Sequence, residues 1–128
     1  MTDLLERGAS WLDTQRIRHL SRPVTYVRGG NSVEVQAAIG RTLFEVDNSA
    51  GVLEQSESRD FLVRAADLVL DGQTVLPERG DRIREEQDGT LYVYEVMAPG
   101  REPHYRFSDP YRRTLRIHTK LVATEEAT

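Results

Sequence analysis

The chain has 128 residues, with 17 Lys plus Arg against 21 Asp plus Glu, no cysteine and a formal net charge of −4. That length suits one domain. The lack of cysteine excludes a disulfide framework, a thiolate nucleophile and an iron–sulfur cluster, and no apolar run reaches the length of a spanning helix.

Residues 2–20 read as a helix, filling an N-terminal segment 1–21. Thr2 is a candidate N-cap, Asp3 and Glu6 suit the first turn, and Leu4, Leu5, Ala9, Trp11 and Leu12 share a face. Arg16, Arg18 and His19 complement its C-terminal dipole, and Arg22-Pro23 closes it. The charged residues among these twenty do not have a signal peptide's layout, which suggests a soluble intracellular-type chain or a part of an assembly made inside a cell. From Pro23 the period becomes two, and Gly29-Gly30-Asn31 breaks the alternation into a hairpin. Residues 40–58 are the least regular stretch. They read as a long exposed loop with one short strand candidate at Leu43–Val46, and loops of that length are usually functional or disordered. Arg59–Ala66 reads as a strand, and Leu68–Leu70 and Thr74–Leu76 flank the Asp71-Gly72 hairpin signal. Asp81–Glu85 and Leu91–Met97 flank a second such signal, Asp88-Gly89. His104–Phe107 reads as extended and Asp109-Pro110 as a turn. Thr114–Val122 is the last strand, with Leu115, Ile117 and Leu121 inward and Arg116, His118 and Lys120 outward. Residues 123–128 read as a disordered tail. The expected fold is therefore α+β and mainly β. It is a small antiparallel barrel or sandwich over 23–122 with an N-terminal helix and a long middle loop, making 1–122 a single domain.

Candidate chemistry is sparse. His19, His104 and His118 lack the spacing that forces metal ligands together, so no metal site is expected. Ser108, Asp109 and His104 contain the residue types of a hydrolase triad, but Ser108-Asp109-Pro110 is more simply a side-chain-capped turn. Adjacent carboxylates such as Glu85 and Glu86 point to opposite faces of a strand and make no acid–base pair. Arg28-Gly29-Gly30-Asn31 is a hairpin turn and not a phosphate cradle. Neither catalytic residues nor a cofactor are expected.

Charge is distributed unevenly. Residues 42–100 carry a net −8, whereas residues 101–120 carry +4. Sixteen of the 17 cations are arginine, which suits planar contacts to carboxylate or phosphate, although a GC-rich genome gives the same bias. In the stretch 104–120, basic residues alternate with aromatics, a pattern that can bind single-stranded nucleic acid. The acidic whole argues against that reading. The stripe can instead meet the acidic middle segment, within one chain or between copies in a head-to-tail interface.

The run Ala66-Asp67-Leu68-Val69-Leu70-Asp71-Gly72, then Pro77, Gly80-Asp81 and Ile83, Tyr94-Glu95-Val96, and Ser108-Asp109-Pro110 leading to Arg113–Lys120, resembles the neck proteins of tailed bacteriophages and prophages. These are the head–tail connector, stopper or head–tail joining proteins. The resemblance implies a non-enzymatic virion structural protein, assembled in the bacterial host cytoplasm, that self-associates into a ring between the capsid portal and the tail. It implies portal, adaptor and tail proteins as partners, DNA passing through a channel without specific binding, and no membrane. By position, a channel or docking loop would hold Phe44, Asp47, Asn48, Leu53 and Glu54. Arg106, Arg112, Arg113, Arg116 and Lys120 would form a subunit or partner interface. An acidic middle segment suits a channel wall, since like charge weakens phosphate binding. The alternative is a small nucleic-acid-binding barrel using the 104–120 stripe.

Overall fold

The computed structural model describes residues 21–47 and 50–126. The expected helix over 2–20 and Asn48 lie outside them. Nine strands follow in order: β1 (Ser21–Arg28), β2 (Asn31–Asp47), β3 (Leu53–Arg64), β4 (Val69–Leu70), β5 (Gln73–Thr74), β6 (Arg82–Gln87), β7 (Thr90–Val96), β8 (Tyr105–Phe107) and β9 (Thr114–Glu126). Ala65–Asp67 form a single 3₁₀ turn. Among the described residues no helix is long and apolar enough to cross a membrane.

Turn chemistry sets much of this order. Asp71-Gly72 and Asp88-Gly89 each place both residues at positive φ, the backbone that a two-residue hairpin needs to match strand twist. They join β4 to β5 and β6 to β7, with Leu70 opposite Gln73 and Gln87 opposite Thr90. Gly29-Gly30 turns β1 into β2, with Arg28 opposite Asn31.

Seven strands form one antiparallel sheet in the order β3-β2-β1-β6-β7-β9-β8, and β3 also pairs β9. The pairing of six strands thus returns on itself. The sheet is rolled without being a clean barrel, because β8 and β7 share one edge of β9: β8 pairs its first residues and β7 the rest. The small β4–β5 hairpin stands apart. The inward positions are Val24 and Tyr26 from β1, Val35 and Ala37 from β2, Phe61 and Val63 from β3, Ile83 from β6, Tyr94 and Val96 from β7, and Leu115 and Ile117 from β9. Leu68 and Leu70 complete this core. Burying each large side chain contributes about 1.5–3 kcal/mol.

Four expectations need correction. Residues 40–58 do not form an irregular loop. β2 and β3 stay in register from Ala37 opposite Val63 out to Asp47 opposite Leu53. Beyond Ala38 the outer edge of β2 has no β1 partner, and β3 has no β9 partner before Arg59. A two-stranded arm therefore leaves the sheet. His118 is not outward in solvent but 1% exposed, against the buried Asp60. Leu121 keeps the inward parity, opposite Tyr94, but is not core: it is 52% exposed, because β3 covers β9 only as far as Thr119. Ala123–Glu126 are not a free tail, since they pair with Thr90–Val93 of β7.

Candidate functional site: a buried polar root and an exposed arm

The arm grows from a buried polar cluster. Asp60 on β3 is 0% exposed, and strand register sets His118 directly across from it on β9. Its Oδ1 accepts hydrogen bonds from His118 Nδ1 at 2.8 Å and Ser58 Oγ at 2.6 Å. Its Oδ2 accepts from Thr42 Oγ1 and Arg116 Nη1, both at 2.5 Å. Burial alone would raise the Asp60 pKa. The donors from His118, Ser58, Thr42 and Arg116 outweigh it and hold the carboxyl at about 2. The cluster thus ties β2, β3 and β9 together where the arm departs.

Two further carboxylates lie on the inward parity of β6. Glu85, 1% exposed, accepts from Arg59 Nη2 at 2.7 and 2.9 Å and from Arg22 Nη1 at 3.4 Å. The Arg59 guanidinium also lies 5.1 Å from the Tyr94 ring centroid and 5.7 Å from that of Phe61, so the pair is framed by aromatic faces. Asp81 accepts from the Tyr26 hydroxyl, from Arg28 Nη2 at 2.8 Å and from the Glu78 backbone N–H at 2.9 Å. Burial, then the Asp81 carboxylate, push the Tyr26 hydroxyl well above the usual phenol range. Each buried carboxylate of the rolled sheet is thus met by donors. We expect Glu85→Gln, which weakens the hold on Arg59 and Arg22, to cost about 2 kcal/mol in a denaturant titration.

Asp109 and His104, two of the three residues with triad chemistry, are engaged in local structure. Asp109 accepts from the backbone N–H groups of Tyr111 at 3.1 Å and of Arg113 and Thr114 at 2.9 Å each, so it caps its own turn. His104 Nε2 donates to the Pro77 carbonyl at 2.8 Å. Among the described residues no group of three or more His, Cys, Asp or Glu is placed to hold a metal ion.

Of the expected docking residues, the four described ones, Phe44, Asp47, Leu53 and Glu54, fall on the arm. Asp47 and Leu53 are its last register pair, and Glu54 opposes Val46. Phe44 is half-buried beside Gly100, where an added Cβ would meet Glu45 O at 3.3 Å and the Phe44 ring at 3.5 Å. The Ala98–Glu102 turn therefore props one face of the arm. Leu43, Glu45, Asp47 and Leu53 occupy the other face by strand alternation, and all four are exposed.

The expected arginine interface divides. Arg116 is drawn into the Asp60 cluster, with its side chain 20% exposed. Lys120 is exposed on β9, beyond the β3 pairing. Arg106 on β8, Arg112 and Arg113 are exposed at the other end of β9. Arg112 adopts a positive φ of 57° and places its guanidinium 5.6 Å from the Phe107 ring centroid. Sequence reasoning missed Asp60 and Glu85. A signal for Asp60 was available: Phe61-Leu62-Val63 is an unbroken apolar run, which marks a strand covered on both faces.

A family model described as phage head-tail joining protein matches residues 2–126, nearly the whole chain. The chain belongs to this family. Comparison with curated proteins gave no match. On this member of the head–tail joining family, the arm and the arginine-bearing end are the two exposed features that stand out.

Proposed function

We propose that the protein is a non-enzymatic connector of the phage neck, self-associating into a ring that joins the capsid portal to the tail. In this reading DNA passes through the ring without specific binding, and the protein resides in the virion after assembly in the host cytoplasm. The observation that carries it is the β2–β3 arm. A two-stranded ribbon is marginal by itself in water. This one nonetheless extends through six register pairs beyond the sheet, from Thr42 opposite Ser58 to Asp47 opposite Leu53, and exposes Leu43, Val46 and Leu53 at 54%, 42% and 64%. Exposed apolar surface on a projecting element is the mark of a docking surface. The arm is the element that meets a neighbouring ring or copy, and the arginines at the other end supply a second contact.

The nucleic-acid alternative loses support from the same geometry, because Arg116 and His118 are committed to Asp60 and the 104–120 stripe is no continuous cationic surface. The test is complementation of a phage lacking this gene. Wild-type chain restores tailed particles, whereas a chain with the arm tip cut back to a short turn leaves filled heads without tails. Normal tail attachment by a folded, armless chain would overturn the proposal.

A further inference from the structure

The molecule has two ends of opposite character that it cannot bring together. The exposed face of the arm carries Leu43 and Leu53 with Glu45 and Asp47, and no cation lies beyond Arg41. Arg101 and Glu102 border the depression between the arm and the Ala98–Glu102 turn, and their charges cancel. At the opposite end of the same strand, Arg64 and Arg106 are exposed and make no ion pair with another described residue. Register sets Arg64 opposite Thr114, and β8 brings Arg106 opposite Arg116 on the same side of the sheet. Arg112 lies at the same end of the sheet, in the turn before β9, with a left-handed backbone and its guanidinium 5.6 Å from the Phe107 ring centroid. β3 runs unbroken from Leu53 to Arg64. Its ends are therefore separated by up to ~36 Å of extended chain.

Resting on the connector reading, we infer that the arm of one copy docks on the end of a second copy that carries Arg64, Arg106 and Arg112, around the short edge strand β8. The contact is head-to-tail. Leucines meet the aromatic and aliphatic surface around Phe107, and the arm carboxylates meet the guanidinium groups. A contact between two different patches of identical chains repeats around an axis, and closes when the rotation allows.

The native chain has no cysteine, so engineered thiols report proximity without background. One chain carries Gln55→Cys, on the docking face of the arm, and a second carries Pro110→Cys, beside Arg112. Both positions are exposed. Mixed under oxidising conditions at low salt, the two are expected to form a heterodimer at least tenfold faster than Gln55→Cys with a control Glu86→Cys chain. Adding Arg112→Glu to the second chain should abolish that preference, and adding Glu45→Arg to the first should restore it. Yields equal to the control would overturn the contact. So would retention of duplex DNA by the arginine-bearing end with steep salt dependence and no heterodimer, which would assign that end to nucleic acid. The complementation assay separates the two claims: tail attachment without the cross-link overturns this contact alone, and the cross-link without tail attachment overturns the connector reading alone.

Discussion

Replacing Asp60 by Asn should destabilise the protein by about 3–5 kcal/mol, the cost of breaking a buried ion pair and stranding its partner. The carboxylate collects four donors, from His118, Ser58, Thr42 and Arg116, and an amide cannot accept them all. A small domain has about 5–15 kcal/mol in total, so the variant stands near its unfolding threshold at 37 °C. Thermal and urea unfolding measure the loss. A change below about 1 kcal/mol would show that the cluster is not structural cement. Combining Asp60→Asn with Arg116→Met should recover part of the loss by removing the uncompensated cation.

The same group gives the wild type an acid limb. The folded-state pKa of Asp60 lies at about 2, below its ordinary value of 3.8. Its contribution, about 2 kcal/mol, is therefore fully present above about pH 4 and is lost as the pH falls through 2. Asp60→Asn should flatten this limb of the stability curve.

The second large effect concerns assembly and not folding. Leu43→Asp with Leu53→Asp alters two side chains that are 54% and 64% exposed, so the unfolding midpoint should move little. If docking buries both, about 3–4 kcal/mol of contact is removed, and affinity for the next copy or ring falls by roughly 10²–10³-fold. Sedimentation of the purified chain and counts of tailed particles after complementation measure it. A variant that folds, associates and attaches tails normally would remove the arm from the interface.

The turns were the most legible part of the sequence. Asp71-Gly72 and Asp88-Gly89 name both the hairpin and its loop length, because few residue pairs tolerate two successive positive φ values. Alternation likewise gave Leu115 and Ile117 as core. The arm stayed hidden for a related reason. Apart from Phe44 and the root, its two faces meet solvent, so no side of it need be apolar and there is no period for the eye to find. His118 was misread because alternation separates the faces of a strand without saying whether both are covered. On β3, Asp60, Phe61, Leu62 and Val63 are all buried in succession, so both faces there are interior. A carboxylate on such a strand signals a partner, and register supplies His118.

The continuity of β3 gives the arm a mechanical meaning. The strand that carries Leu53 at its tip is gripped by β9 from Arg59 onward, with Asp60 and its donors at the point of exit. A load applied at the tip runs along one backbone to that grip and acts there as on a lever at its fulcrum. The aim of the arm is thus fixed by buried groups well back from its working end, and a substitution at Thr42 or Ser58 would redirect the tip without touching it.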